Sequence, residues 1–427
     1  MIDDLVYQAI FSPNEKVQKQ SRTQIRKMAQ KTSIYLASIH RLYQAFGQGK
    51  IIGFTIPAIN IRTLTYDTAR TIFKVMIKKN IGPVIFEIAR SEIGYTDQQP
   101  DEYAVAILAA AVKENYRGPV FIQGDHYQFK AKTFKEDAAT EIEKIKTLVK
   151  KSIDAGFYNI DIDASTLVDL NKTSLDDQQK NNYQMTAMMT KYIRSLEPKG
   201  VTISVGGEIG HIGGKNSTPK EFEVFMKGYL KEAQSSKFPS ARAQDEGKVQ
   251  SKKIQGISKV SVQTGTSHGG IPLPDGTIAK VSLDFNVLKS ISQVAQEKYS
   301  IGGAVQHGAS TLPNKLFDQF PKNNALEIHL ATGFQNIVYE NLPISLKQEI
   351  YQWIKKNFKD EWKEGQTEDQ FIYKTRKKAL GPFKNKLWSL PKTNKQVIMK
   401  KLKKQFLLLF KKLNIFNTKK ILEKYIK

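Results

Sequence analysis

The chain has no cysteine. Disulfides, thiolate nucleophiles and cysteine-based zinc sites are therefore excluded, and any bound metal must rest on histidine and carboxylate. Long apolar runs are also missing. Nothing approaches the roughly 18 residues that a spanning helix needs, and the acidic start Met1-Ile-Asp-Asp-Leu is not that of a signal peptide. A cytoplasmic enzyme or binding protein without membrane insertion is expected. Acidic residues are few relative to basic ones: 41 Asp+Glu against 66 Lys+Arg leave a net charge of +25. The last 87 residues hold 23 Lys+Arg against 7 Asp+Glu, so +16 of that charge sits there. The basic residues are mostly lysine and run along the whole chain. The excess therefore reads first as a compositional bias and only second as a surface for polyanions. Nucleic acid is disfavoured as a partner.

What is present is enough for a large core. With 427 residues, 40% of them hydrophobic and 10% aromatic, the chain can form one large domain with additions, or two domains. Residues 1–46 read as a polar helical segment with one apolar stretch, Ile34-Tyr35-Leu36-Ala37. His40 in this segment reads as a packing or surface residue. From Ile51 the pattern changes. Apolar, β-branched runs occur at 52–57, 83–86, 119–122, 157–162, 201–205, 259–262, 303–306 and 326–330. Helical periodicity lies between them at 65–79, 102–114, 136–153, 185–196, 221–233 and 286–296. Thr218, Pro219 and Glu221 have the order of a helix N-cap, first turn and capping box.

Eight strand–helix units over residues 47–340 predict an α/β fold, a (β/α)8 TIM barrel. A doubly wound sheet is the alternative, but no Gly-x-Gly-x-x-Gly follows the first strand and no Walker-type loop is present. Residues 234–255 lack an apolar face and read as a surface insertion. Residues 341–427 read as a basic helical extension. Its stripe Ile398, Leu402, Phe406, Leu409 and Leu413 has the spacing of a face that packs on its own protein.

In such a barrel the reacting groups stand at the C-terminal ends of the strands. His126, Glu208, His268 and His307 fall at the ends of the third, fifth, sixth and seventh runs, beside glycines. Three imidazoles converging there form a metal site with an open position, able to act as a Lewis acid.

The motifs Pro57-Ala-Ile-Asn60, Gly124-Asp-His126, Ile162-Asp-Ala-Ser165, Gly207-Glu-Ile-Gly210 with Ile212-Gly-Gly214, Gly265-Thr-Ser-His-Gly269 and His307-Gly-Ala-Ser310 follow one another in that order. From about Gly53 to Thr332 the sequence resembles the class II, metal-dependent ketose-bisphosphate aldolases, as a divergent member. The resemblance implies that His126, His268 and His307 hold a zinc-type divalent ion, with Glu208 nearby. It implies that Asp125 exchanges a proton with the oxygen on the fourth carbon and that Asp163 helps hold the charged intermediate. Asn60 would contact substrate hydroxyls. Gly269, Gly308, Ser310 and Thr332 would bind a phosphate, beside a monovalent cation. A homo-oligomer, a small sugar substrate and a place in carbohydrate metabolism such as glycolysis go with the family.

The sequence departs from the family in four places. The loop after Gly214 reads Lys215-Asn216-Ser217-Thr218, without the acid that many members carry there. His329 replaces an asparagine, Ala331 an acid and Ala89 a serine. The first two changes touch the protonation step and the others the phosphate pocket, which leaves open a substrate with a different anion or none. Lys215, Arg90 and His329 are the candidates to take over these roles, and His211 is either an acid of the loop or solvated. The first reading is an aldolase cleaving the C3–C4 bond of a ketose (bis)phosphate through an enediolate. The second is a metal-dependent epimerase or isomerase of a sugar acid or sugar phosphate. The third is a non-enzymatic sugar- or metal-binding protein.

Overall fold

The computed structural model describes residues 1–210, 215–235, 254–265, 283–426 and the isolated Leu273. Nine strands are found among them: β1 (Ile34–Leu36), β2 (Ile56–Asn60), β3 (Ile85–Ala89), β4 (Gly118–Gln128), β5 (Asn159–Asp163), β6 (Ser204–Glu208), β7 (Lys259–Val262), β8 (Ala304–Gln306) and β9 (Glu327–Leu330). Strands β2 to β9 pair in parallel, each with the next, and β2 pairs back onto β9 through Ile59 and Leu330. The sheet is thus a closed eight-stranded (β/α)8 TIM barrel. The short β1 lies outside it, paired with the entry of β4 through Ile34 and Gly118.

The apolar runs locate the barrel strands, but several strands start and end later than the runs do. β2, β3 and β6 begin at Ile56, Ile85 and Ser204 and end at Asn60, Ala89 and Glu208. The reason is physical. The strand backbone continues through polar residues that face the barrel mouth, so hydrophobicity stops before the ladder does. The helix Thr65–Lys79 has the bounds its periodicity predicts. The helix Leu175–Ser195 begins ten residues before the predicted start at Met185. Its first turns hide their buried face behind polar residues: Gln179 donates to the Ile209 carbonyl (3.1 Å) and Asn182 to the Glu208 carbonyl (2.8 Å). In the helix Pro219–Gln234 the Thr218 hydroxyl accepts from the Glu221 amide, and the Glu221 carboxylate accepts from the Thr218 amide. Residues 236–253 of the predicted insertion lie outside the described residues.

Helices flank the barrel at both termini, and their apolar residues join the barrel core in one continuous cluster. Ile2–Phe11 and Glu15–Lys31 pack near Pro100–Lys113, where Arg22 and Arg26 both reach Asp101 (3.2 and 2.6 Å). His40 is buried, as a packing residue. The predicted stripe is inward: Ile398, Leu402, Phe406, Leu409 and Leu413 are all buried. Phe406 meets Phe334 at 4.9 Å, and the Thr55 amide, next to β2, donates to the Leu413 carbonyl (3.0 Å). The two terminal regions also touch, Phe11 against Trp388 at 5.5 Å. No helix among the described residues is long and apolar enough to cross a membrane.

Candidate active site

A cavity of about 500 Å³ opens at the C-terminal ends of the strands. Its centre is built by β4. Register on β5 runs Gly124 to Ile160 and then Tyr127 to Ile162, so Asp125 and His126 together stand opposite the single residue Asp161. This is a bulge. In a regular strand two adjacent side chains point to opposite faces. The bulge instead brings Asp125 and His126 to the same cavity. The cost is visible in the backbone, since His126 adopts φ +39°, a region that non-glycine residues seldom enter. Gly124 permits it, because a Cβ there would lie 2.4 Å from the Tyr127 ring.

His126 is held from behind. Its Nδ1 lies 3.1 Å from Asp163 and 3.2 Å from Glu208. Burial alone would raise the Asp163 carboxyl, but bonds from His126, Ser165 and Gln128 hold it below its ordinary range. Burial and the neighbouring Asp163 push Glu208 up to about 7. Burial disfavours the His126 cation, but Asp125, Glu208 and Asp163 outweigh it and raise the imidazole well above its ordinary value. A field that favours a proton on this ring favours any cation there.

His307 ends β8. Its Nε2 lies 2.8 Å from the Ser261 hydroxyl, and its ring lies 4.2 Å from that of His126. Donor atoms of Asp125, His126 and His307 all fall within 4.8 Å of one another. Carboxylate and hydroxyl partners behind the two imidazoles are the usual supports of metal-binding histidines. The residues present therefore fit a divalent ion. His268 and Gly269 lie outside the described residues, as does His211.

Of the buried groups beneath the cavity, His329 was a candidate from the sequence, whereas Lys259, Asp161 and Glu327 were not anticipated. Lys259, at the start of β7, is buried in the barrel centre, 2.9 Å from Asp161 and 2.6 Å from Glu327. Gly206 makes room for this pair, since a Cβ there would meet Asp161 Oδ1 at 2.3 Å. One layer nearer the mouth is His329. Its Nδ1 faces Glu87 (2.9 Å) and Asp125 (3.2 Å), and its Nε2 faces Glu327 (2.6 Å). Burial pushes Glu87 up to about 8 and Asp161 to about 6, with His329 and Lys259 respectively opposing the shift. A charged residue in or beside an apolar strand run was the available signal: Asp161 and Glu327 interrupt one, Lys259 opens one and Glu87 follows one.

The other wall carries Asn60, Arg62, Gly308, Ser310 and Thr332. The Asn60 amide donates to Glu92, while its Oδ1 is buried and accepts no hydrogen bond among the described residues. The Ser310 hydroxyl oxygen accepts from the Ala331 amide (2.6 Å), leaving its proton to give. Lys215 is not brought to this cavity. It is exposed and pairs with Glu221 at 2.7 Å. Arg90 lines the cavity but is tied to Glu141 at 2.5 Å.

The sequence profile described as fructose-bisphosphate aldolase class-II matches residues 40–387. The chain belongs to this family. It is an aldolase-type carbon–carbon lyase on a TIM barrel, in a family that generally depends on a divalent metal. Comparison with curated proteins gave no match. Solved structures share the fold at low identity. A fructose-bisphosphate aldolase from Campylobacter jejuni is 15% identical with TM-score 0.52, covering 90% of this chain and 96% of its own. A structure described as a probable tagatose 6 phosphate kinase from Sinorhizobium meliloti 1021 is 13% identical with TM-score 0.56, covering 87% and 99%. In this class-II aldolase the matched region takes in the whole barrel and the cavity with Asp125, His126 and His307.

Proposed function

We propose that this aldolase cleaves, reversibly, the C3–C4 bond of a ketose (bis)phosphate. The observation that carries the reading is the β4 bulge, which sets Asp125 and His126 side by side in one cavity, with His307 4.2 Å from His126. His126, His307 and His268 would hold a zinc-type ion, with Glu208 and Asp163 bracing His126. Such an ion supplies the Lewis acidity that an enediolate needs as it forms. Asp125 takes the proton from the C4 hydroxyl as the bond breaks and returns it in the reverse direction. Asn60 Oδ1 accepts from a substrate hydroxyl. Gly308, Ser310 and Thr332, with Gly269, receive the phosphate. His329 stands against Asp125 and fixes its orientation.

A second reading, a metal-dependent epimerase, is favoured by Glu87, a second carboxylate that lines the same cavity. One experiment tests both. Metal-replete protein is incubated with a panel of ketose phosphates and ketonates, and products are followed by NMR. Release of a triose-sized carbonyl supports the aldolase, and an isomer of equal mass supports the epimerase. His126→Ala is expected to lose turnover and metal together; a variant with full metal and full activity would refute the site.

A further inference from the structure

Arg62 stands two residues beyond Asn60, largely buried with 14% of its side chain exposed. Its Nε donates to Glu92 (2.7 Å), and Nη1 donates to Thr332 (3.3 Å) and Gln335 (3.0 Å). Nη2 makes no hydrogen bond among the described residues, and Arg62 lines the cavity beside Ser310 and Thr332. The guanidinium is thus locked by three bonds with one fork edge unspent. Glu92 has both oxygens engaged already, Oε1 with Arg62 and Oε2 with Asn60 and the Ala89 amide (2.8 Å). Lys377 from the C-terminal helices also lines the cavity and makes no ion pair among the described residues. Arg62 is paired with Glu92, so the free edge of its guanidinium and the Lys377 ammonium are the donors that this wall offers to an anion.

We propose that Arg62 is the specificity-determining residue for the anionic end of the substrate, donating from Nη2 to a phosphate oxygen that Ser310 and Thr332 also bind. A planar, permanently charged fork suits a phosphate dianion better than a neutral hydroxymethyl group. The Arg62 guanidinium then favours a phosphorylated ketose over the unphosphorylated one. The inference rests on the aldol reading of the site, but its binding arm can be measured without turnover.

Inorganic phosphate binding to metal-loaded protein is measured by calorimetry for wild type, Arg62→Gln and Arg62→Lys. Aldol formation is followed with dihydroxyacetone phosphate and with dihydroxyacetone. Arg62→Gln is expected to weaken phosphate binding and raise KM for dihydroxyacetone phosphate by about 10- to 100-fold, with a much smaller loss for dihydroxyacetone and metal content near wild type. Arg62→Lys should recover part of the loss and also serves if the glutamine variant does not fold. Unchanged phosphate affinity in either variant, or equal losses with both ketones, would overturn the inference. Arg62-dependent phosphate binding without turnover of any ketose phosphate would sink the aldol reading while the anion site stands.

Discussion

Lys259 Nζ lies 2.6 Å from Glu327 Oε1 at the centre of the barrel, and neither side chain is more than 1% exposed. Glu327 also accepts from the Tyr43 hydroxyl and from Gln123 (3.0 Å), and it faces His329. The ammonium thus sits beneath Asp125 and His329 and compensates carboxylates that water cannot reach. Burial opposes ionisation of Glu327, yet Lys259 and His329 hold it below its ordinary range.

Removing that ammonium should leave Asp161 and Glu327 as uncompensated buried charges. Lys259→Met is expected to cost about 3–5 kcal/mol, read as a lowered denaturant midpoint. Combining it with Glu327→Gln should recover part of the loss. A double-mutant cycle showing strict additivity would mean the two residues are not coupled.

Asp125 is the proposed proton carrier. Asp125→Asn keeps the shape but cannot take up the proton, so kcat should fall by about 10²- to 10⁴-fold. Metal content, measured by elemental analysis, should stay near wild type because the imidazoles are intact. A kcat within threefold of wild type would assign the proton step to another residue.

His40 is buried with neither ring nitrogen hydrogen-bonded among the described residues. Burial, with Arg194 and Arg41 nearby, lowers it from 6.5 to about 3. Between these values the unfolded chain binds the proton and the folded chain does not. Stability is therefore complete above about pH 6.5 and is lost as pH falls toward 3, by roughly 5 kcal/mol at most for this group. His40→Phe should flatten that limb relative to wild type between pH 4 and 6.5 in thermal melts and converge with it near pH 7. Parallel curves for the two proteins would show that His40 does not titrate in this way.

The C-terminal helices should be essential to the barrel despite their charge. Phe406 is fully buried against Phe334, and Phe406→Ala is expected to cost about 3–5 kcal/mol through the cavity it leaves. A shift below 1 kcal/mol in chemical denaturation would mean that this helix docks only loosely.

Much of the site could be read from the chain because strand ends in a parallel barrel share one mouth. His126 and His307 needed only the count of strands and the rule that polar residues follow the apolar runs, whereas Asn60, Asp125, Ser310 and Thr332 were legible only through the resemblance of their motifs to the aldolase family. Lys215 shows where that reasoning stops. It follows the right glycines, but its ammonium finds Glu221 and turns from the cavity. Arg62 and Glu92 left no signal at all, since they lie 30 residues apart and meet only through the curvature that brings β2 beside β3.

The sequence by itself determined the eight repeats of strand and helix, the absence of cysteine chemistry, the histidines at strand ends and the family. These depend on residue type and on periodicity along the chain. Only the tertiary structure decided that Asp125 and His126 share one face, because a bulge is a mismatch of register between two strands and belongs to neither alone. It also decided how the interior charges are partnered. Lys259, Asp161 and Glu327 come from three strands, and their compensation depends on which residues the closing barrel sets at the same height.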